Sequence, residues 1–249
     1  MTPLFGQTRT CVKARHALIT SDGHVASMLP GLENVRLVTH ITPAMGAGFA
    51  QFSLAFAEPN GRAHFAANVC ESVIYVTSGM VHCQAGSVAG KLGAGGFAYI
   101  SQTDTLEISS TGAAAQVTIF QKKYAAAPGL KPPTSFLGSS EKIAGQPFLG
   151  NPKALLQVLL PDEPAFDMAV NVFTYQPGAT LPFVETHIME HGLLMLSGQG
   201  IYRLEDSWYP VAAGDVIWMA PYCPQWFVAM GDEPASYLYY KDVNRAPLP

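Results

Sequence analysis

The sequence repeats itself at a fixed spacing, and this internal repeat is the feature that most limits the possible folds. Glu71-Ser-Val-Ile-Tyr-Val-Thr-Ser78-Gly79 resembles Glu190-His-Gly-Leu-Leu-Met-Leu-Ser197-Gly198, at an offset of 119 residues. Two further pairs of residues have the same offset, Gly95 with Gly214 and Lys122 with Lys241. An offset that is kept over so long a stretch indicates two copies of one structural unit.

Each copy consists of short strand-like runs separated by turns, without a long helical period. Runs such as Val35-Arg-Leu-Val-Thr-His40 are bounded by glycine-containing and proline-containing turns, a pattern typical of a sandwich or barrel. Residues 124–150 are rich in Pro, Gly, Ala and Ser and are predicted to be a linker. The sequence therefore predicts an all-β chain with barrels at residues 1–123 and 151–249.

Three candidate metal donors lie close together in the second copy: Glu185, His187 and His191. Glu185 and His187 are two residues apart, so their side chains would share one face of a strand. A straight strand would carry His191 roughly 20 Å from Glu185, whereas metal ligands lie about 2.0–2.2 Å from their ion. We therefore expect the chain to turn near residues 188–190, so that His191 begins the next strand.

A fourth donor, Gln225, follows a Gly214-Asp215 turn, a short apolar strand and a proline-rich turn. This arrangement is similar to the second half of the cupin signature, whose ligands are His-x-His, then Glu, then a distant His. Glu185, His187, His191 and Gln225 occupy these four places, with Glu and His exchanged and Gln replacing the last His. A single histidine in a strand is usually a hydrogen-bonded core residue, but the four donors together favour a metal site.

The first copy carries no comparable donor set. At the offset of 119 the four places hold only weak or apolar groups, Ala66, Asn68, Ser72 and Leu106. We therefore expect the first barrel to be structural and only the second to carry chemistry.

The predicted ligands are carboxylate, imidazole and amide groups, without a thiolate. Such a mixed oxygen and nitrogen set suits an octahedral ion such as Mn²⁺, although Zn²⁺ and Fe²⁺ also accept these ligands. Because Glu185 is the single anionic ligand, the site keeps a positive charge and favours an anionic substrate.

Three further side chains are predicted to face the ion. Tyr237, Tyr239 and Lys241 alternate along one strand and so share a face. An inward lysine needs an anion to offset its desolvation, unless it lies at the strand end and reaches water. Tyr202 has the alternation to face inwards as well, where it would either orient a polar substrate or fill the barrel.

Composition excludes several classes of function. Hydrophobic residues make up 49% and charged residues 13% of the chain, which favours a homo-oligomer with buried subunit surfaces. A net charge of −4 without a basic patch argues against binding to nucleic acid. No apolar run reaches the roughly 20 residues of a membrane helix. The four cysteines form no CxxC pair, as expected for reduced thiols in a cytoplasmic protein.

The chain resembles the bicupin family of (S)-ureidoglycine aminohydrolases of bacterial and plant purine degradation. The resemblance is carried by Glu185-Thr-His187-x-x-Glu190-His191-Gly, Leu196-Ser-Gly-Gln-Gly-x-Tyr202, Trp208-x-Pro-Val-x-x-Gly214-Asp215 and Tyr240-Lys241-Asp242-x-Asn244-Arg245. It implies two tandem cupin barrels and Mn²⁺ at Glu185, His187, His191 and Gln225. It also implies that Tyr202, Tyr237 and Lys241 contact a small anionic ureido substrate and that Glu185 lies beside the reacting carbon, with Glu185 and Lys241 as the catalytic residues.

The reaction that the resemblance implies is the conversion of (S)-ureidoglycine and water to (S)-ureidoglycolate and ammonia in the cytoplasm. Two alternatives remain at the level of the sequence. One is another cupin enzyme, a dioxygenase or isomerase that acts on a small carboxylate. The other is a cupin protein that binds a ligand without catalysis.

Overall fold

The computed structural model describes residues 8–57 and 59–245, which form an all-β structure as the sequence predicts. The outer ends of the predicted domains, residues 1–7 and 246–249, lie outside the described residues. The strands are, in chain order, β1 (Cys11–Val12), β2 (His16–Ile19), β3 (Ala26–Ser27), β4 (Leu32–Glu33), β5 (Val35–Ile41), β6 (Phe49–Phe56), β7 (Arg62–Phe65), β8 (Cys70–Ser78), β9 (Met80–Ala85), β10 (Val88–Gly93), β11 (Gly96–Ile100), β12 (Leu106–Ser110), β13 (Ala115–Lys123), β14 (Phe136–Ser139), β15 (Gln146–Phe148), β16 (Asn151–Val158), β17 (Met168–Tyr175), β18 (His191–Ser197), β19 (Gln199–Leu204), β20 (Ser207–Ala212), β21 (Val216–Met219), β22 (Gln225–Met230) and β23 (Ala235–Asp242).

The described helices are single 3-10 turns at Ser21–Gly23, Pro43–Met45 and Ser140–Lys142. Within residues 8–57 and 59–245, none of them has the length and apolar character that a membrane crossing requires.

The strands form four sheets. An eight-stranded sheet has the order β1-β2-β21-β18-β23-β17-β16-β15, and a three-stranded sheet has the order β20-β19-β22. A seven-stranded sheet has the order β14-β11-β8-β13-β6-β5-β3, and a five-stranded sheet has the order β10-β9-β12-β7-β4. Strands such as β9 and β19 alternate buried and more exposed residues, as expected for strands with one face on a core.

The described chain divides into two compact units. The C-terminal unit contains residues 8–24, 145–156 and 171–241, and the N-terminal unit contains residues 25–57, 59–144, 157–170 and 242–245. Each unit has its own apolar core, which includes Leu193 and Phe227 in the C-terminal unit and Ile74 and Ile119 in the N-terminal unit. Each fully buried side chain of this size contributes about 1.5–3 kcal/mol to stability.

These bounds differ from the predicted domains of 1–123 and 151–249. Residues 8–24 belong to the C-terminal unit because β2 pairs with β21, with His16 opposite Met219. The pairing is reinforced by an ion pair between Arg9 and the buried Asp215, with a nitrogen–oxygen distance of 2.6 Å. The predicted linker 124–150 also contains strands, since β14 pairs with β11 and β15 pairs with β16.

The glycines of the repeat make the same bend in both units. Gly79 follows β8 and Gly198 follows β18, with backbone φ angles of 72° and 70°. A Cβ atom at Gly79 would lie 2.2 Å from the Ala114 carbonyl oxygen, and one at Gly198 would lie 2.6 Å from the Cα atom of Ala235. Both bends therefore require glycine, for its φ angle and for its lack of a side chain.

Strand pairing corrects one marker of the repeat. Ser72 on β8 lies opposite Gln121 on β13, whereas His191 on β18 lies opposite Lys241 on β23. Because His191 is the repeat of Ser72, Lys241 corresponds to Gln121, and the predicted match of Lys241 to Lys122 is wrong by one residue. The pairing of β22 with β19 still keeps the offset of 119, so the additional residue lies between β22 and β23.

Strand pairing also changes which residue of the first copy corresponds to Glu185. Phe65 lies opposite Leu106, and Glu185 forms a single bridge with Gln225. The counterpart of Glu185 is therefore Phe65 rather than the predicted Ala66, and this place in the N-terminal unit remains apolar.

Candidate metal and substrate site

The C-terminal unit contains a cavity of about 200 Å³. Its walls combine apolar, aromatic and ionisable side chains from β15, β17, β18, β19, β22 and β23 and from the segment before β18. The lining residues are Phe148, Phe173, Leu181, Phe183, Glu185, Thr186, His187, Met189, His191, Leu193, Tyr202, Gln225, Tyr237, Tyr239 and Lys241. All seven side chains that the sequence singled out as ligands, substrate contacts or catalytic groups are in this set.

The predicted turn before His191 is confirmed, since β18 begins at His191. Glu185 reaches the cavity through a single antiparallel bridge to Gln225, in which the Glu185 N–H donates to the Gln225 carbonyl at 2.8 Å and the Gln225 N–H donates back at 2.9 Å. The expectation that Glu185 and His187 share a regular strand is wrong, because His187 lies outside any strand. The backbone bridge nevertheless brings the first and last predicted donors together.

Hydrogen bonds orient Gln225 and His187 toward each other. The Tyr202 hydroxyl donates to Gln225 Oε1 at 2.9 Å, which leaves the amide nitrogen 3.3 Å from His187 Nε2. His187 Nδ1 lies 3.1 Å from the carbonyl oxygen of Met189, so this nitrogen carries the proton and Nε2 has the lone pair. An imidazole whose Nδ1–H is bound by a backbone carbonyl has the tautomer of a metal ligand that uses Nε2.

His191 is buried and stacks with two rings. Its imidazole lies 4.5 Å from that of His187 and 5.7 Å from the Tyr239 ring, measured between centroids, with interplanar angles of 30° and 7°. The buried Nε2 atom has no hydrogen-bond partner among the residues that the structure describes. Burial, reinforced by the nearby His187 and Lys241, holds the pKa of His191 well below its usual value. The ring is therefore neutral, as a metal ligand must be.

Buried phenols form another wall of the cavity. Tyr237 and Tyr202 are almost fully buried, and the hydroxyl oxygens of Tyr175 and Tyr237 lie 3.1 Å apart. Burial raises the pKa of Tyr202 and of Tyr237 well above the usual value, so both hydroxyls keep their protons. They can donate hydrogen bonds to an oxygen-rich ligand.

Glu185 and Lys241 supply the opposite charges of the site. Burial raises the pKa of Glu185, and the positive charge of Lys241 partly offsets this rise. Lys241 is only partly buried, next to His191 across the strands. Within the described parts of the chain, no three His, Cys, Asp or Glu side chains approach closely enough to hold an ion as they stand. Glu185, His187 and His191 share the cavity wall, and their roles as ligands stay predictions.

The sequence predicted that Tyr239 faces the ion but not what it contacts, and it gave no role to Asn171. Tyr239 was placed on the face of Tyr237, and its contact with His191 could be found only from the structure. Asn171 on β17 donates from Nδ2 to the Tyr239 hydroxyl oxygen at 2.8 Å. No local sequence pattern distinguishes this asparagine, because its contact is made across 68 residues.

The chain is similar to known proteins. The family model described as the cupin domain matches residues 171–240, a range that holds six of the seven side chains and every lining residue except Phe148 and Lys241. An (S)-ureidoglycine aminohydrolase of Arabidopsis thaliana is 39% identical over 246 residues, which are 98% of this chain and 80% of the relative. The (S)-ureidoglycine aminohydrolase of Escherichia coli K12 is 32% identical over 92% of this chain and 88% of its own length.

A solved structure has a similar fold over almost the whole chain. The crystal structure of protein Ylba from E. coli superposes with a TM-score of 0.86 and 30% sequence identity, covering 98% of this chain and 97% of the other.

Proposed function

We propose that this chain, which belongs to the (S)-ureidoglycine aminohydrolase family, hydrolyses (S)-ureidoglycine to (S)-ureidoglycolate and ammonia in purine degradation. Membership rests on identities of 32–39% with relatives that match nearly the whole chain. The predicted all-β bicupin fold is confirmed by the cupin match and by the similar solved structures.

The proposal rests on one observation: the seven side chains that the sequence predicted as ligands, substrate contacts or catalytic groups all line one cavity. Its volume of about 200 Å³ lies below the roughly 300–1,000 Å³ of sites for drug-sized ligands, which suits a small metabolite. Its wall offers a cation in Lys241 and neutral hydroxyl donors in Tyr202 and Tyr237. A substrate with a carboxylate at one end and a ureido group at the other matches these two kinds of partner.

The cofactor that we propose is Mn²⁺, or another divalent ion, held by Glu185, His187, His191 and Gln225. The unpartnered buried Nε2 of the neutral His191 and the oriented Nε2 of His187 support this ligand set. Glu185 would add the anionic oxygen, and Gln225 a neutral amide oxygen after its amide rotates to turn Oε1 from Tyr202 toward His187, and both oxygens suit a hard ion. When bound, the ion supplies Lewis acidity and fixes the substrate for attack on one face.

Lys241 anchors the substrate carboxylate in this proposal. A charge-assisted hydrogen bond of this kind contributes about 1.5–3 kcal/mol. Tyr202 and Tyr237 keep their protons at neutral pH. Tyr237 donates to the ureido oxygen, and Tyr202 does so by exchanging its hydrogen bond to Gln225 for one to the substrate. Together these contacts present the α-carbon of the substrate in a single orientation, which is the condition for a stereospecific reaction.

Glu185 is the group that we assign to proton transfer. In the reaction a carbon–oxygen bond to water forms and the carbon–nitrogen bond to the amine breaks, so one proton of the water must reach the leaving ammonia. Glu185 is the carboxylate of the cavity wall, and a carboxylate is one of the side chains that can accept and return such a proton. His191 is neutral and so has no additional proton to donate. The raised pKa values of Tyr202 and Tyr237 keep these phenols from acting as acids.

The test is ammonia release from freshly generated (S)-ureidoglycine by chain that has been stripped of metal and then reloaded with Mn²⁺. Elemental analysis of the purified chain measures the resident metal in parallel. We expect stereospecific ammonia release that requires the divalent ion and proceeds equally with and without oxygen. Activity that vanishes under anaerobic conditions would identify a dioxygenase, and binding without turnover would identify a ligand-binding cupin.

We further propose that the protein acts in the cytoplasm as a homo-oligomer. The four cysteines are free, as expected for a reducing compartment, and the composition is unusually apolar. Light scattering on the purified chain after size-exclusion chromatography should give a mass that is a multiple of 26.6 kDa. A monomeric mass would contradict the oligomer.

A further inference from the structure

A stack of rings runs along one wall of the cavity and ends at the two candidate histidine ligands. Phe173 and Tyr239 stack with centroids 5.9 Å apart and planes 22° apart. Tyr239 lies almost parallel to His191, at 7°, and His191 in turn stacks on His187. The His191 imidazole thus contacts both Tyr239 and His187.

Strand pairing explains the contact between Tyr239 and His191. Tyr239 on β23 lies opposite Leu193 on β18, and Lys241 lies opposite His191. Tyr239 and His191 are therefore diagonal neighbours on one face of the sheet, a spacing that aromatic side chains can bridge. The contact is set by the backbone register, so it does not depend on a mobile loop.

Asn171 fixes the far end of Tyr239. Its Nδ2–H donates to the phenol oxygen at 2.8 Å, and the two residues are 4% and 6% exposed. Asn171 is not among the residues that line the cavity, so it supports the wall from behind. A phenol that is stacked on Phe173 and anchored at its hydroxyl has little freedom to tilt, and the imidazole that stacks on it is held nearly parallel to it.

We propose that Asn171 and Tyr239 are positioning residues, which hold the His191 imidazole in the orientation that leaves Nε2 available to a metal ion. The inference rests on the proposed function for the identity of the ligand, and it adds two residues that act through His191. A ring used only to fill space would not need the buried hydrogen bond, since leaving either polar partner unpaired costs about 1–3 kcal/mol.

The variants Tyr239→Phe, Asn171→Leu and the double variant test the inference. Tyr75→Phe is the matched control, because it removes a buried phenol hydroxyl that lies 3.1 Å from Ser140 Oγ in the N-terminal unit. The first measurement is the dissociation constant for Mn²⁺ by equilibrium dialysis. Residues that orient a ligand typically change metal affinity by roughly 10–100-fold, so we expect each single variant to bind Mn²⁺ about tenfold more weakly. The double variant should resemble either single variant, because both lose the same hydrogen bond.

The second measurement needs neither metal nor activity. In the metal-free chain with ¹⁵N-labelled histidine, the wild type and Tyr75→Phe should show one sharp set of His191 ring resonances. Tyr239→Phe and Asn171→Leu should broaden or split them. Unchanged resonances in these variants would overturn the inference. So would an Mn²⁺ affinity of the variants equal to that of the wild type, provided that the wild type binds Mn²⁺ and releases ammonia. If the wild type neither binds Mn²⁺ nor releases ammonia but the resonances of the variants change as expected, the positioning role stands and the proposed function fails.

Discussion

Replacing Glu71 by glutamine should flatten the dependence of the chain's stability on pH. Glu71 is fully buried in the N-terminal unit, where the Tyr99 hydroxyl donates to its Oε2 at 2.7 Å. The buried Asp167 forms an ion pair with Lys122 and accepts the Ala125 N–H at 2.7 Å. Lys122 is 3.9 Å from Glu71, so among the described residues one cation pairs with both carboxyl groups.

One of these two carboxyl groups must therefore hold a proton, or a net negative charge would be buried. Burial, followed by the hydrogen bond and charge of Asp167, raises the pKa of Glu71 to about 9. The pKa of Asp167 is lowered despite burial, because hydrogen bonds from Glu71, Lys122 and the Ala125 N–H stabilise its carboxylate. The proton thus belongs to Glu71, which can share it with Asp167.

The sign of the effect follows from proton counting. Unfolded Glu71 loses its proton near pH 4.5, whereas the folded state keeps it to about pH 9. Between these values the folded state holds one more proton, so the free energy of unfolding falls as pH rises. The slope is about 1.4 kcal/mol per pH unit, or about 3 kcal/mol from about pH 6 to about pH 8. Asp167 titrates below this window and does not contribute to the slope.

Glu71→Gln keeps the shape, can still accept from Tyr99 and can donate to Asp167, but it takes up no proton. Urea unfolding at pH 6, 7 and 8, followed by circular dichroism, should show that the wild type loses about 3 kcal/mol more than the variant over this range. Glu33→Gln, which changes an exposed glutamate of the same unit, should run parallel to the wild type. Parallel curves for Glu71→Gln and the wild type would mean that folded Glu71 is ionised, which refutes the reasoning.

Three other substitutions probe the site and the fold. Gln225→Leu should weaken Mn²⁺ binding by at least about tenfold and lower activity with it, and full manganese occupancy in this variant would remove Gln225 from the ligand set. Lys241→Met should raise KM by roughly 10–100-fold while metal content is unchanged, since it loses one charge-assisted contact, and an unchanged KM would mean that the lysine faces water. Gly198→Ala should lower the Tm more than Gly178→Ala, because both have positive φ but only Gly198 would place its Cβ against backbone atoms. Equal shifts in Tm would contradict the steric argument.

Features that depend on neighbouring residues were predictable from the sequence. Alternation along β23 placed Tyr237 and Lys241 on one face, and both line the cavity. The Ser-Gly bends recur because Gly79 and Gly198 each meet a backbone conformation and a close approach that exclude a side chain. The start of β18 at His191 followed from the reach of an extended chain. Each of these arguments uses only local geometry.

Features that depend on distant pairing were not predictable. The segment around His16 has the pattern of an ordinary strand, and nothing in it indicates that its partner is β21, about 200 residues away. The buried His16 then receives partners from the C-terminal unit, with Nδ1 3.0 Å from Glu205 and Nε2 2.8 Å from the Tyr209 hydroxyl. Strand propensity describes how a residue fits a pleated surface and leaves the choice of neighbour to tertiary packing.

Lys122 and Lys241 show that one additional residue changes the correspondence between the two units. Side chains alternate across a sheet, so a shift of one position moves a residue to the opposite face. The extra residue between β22 and β23 makes Lys241 the counterpart of Gln121, on the face of the cavity, while Lys122 lies on the other face with Asp167 and Glu71. Counting along the chain cannot detect this shift, because the lysines alone would suggest an unbroken repeat.

Corresponding positions also explain why the polar wall of the C-terminal cavity is not repeated at the equivalent strand positions of the N-terminal unit. The counterparts of Tyr237 and Tyr239 are Val117 and Ile119, and the counterpart of Tyr202 is Cys83, all within the N-terminal core. These side chains are apolar or weakly polar and pack without a need for hydrogen-bond partners, so the N-terminal interior can close. In the C-terminal unit the same backbone positions hold phenols, imidazole and amide groups, which are stable in a buried wall only when they bond to each other or to a ligand. The difference between the two units therefore lies in a few side chains on a shared strand pattern, and the polar set is the one that needs an occupant.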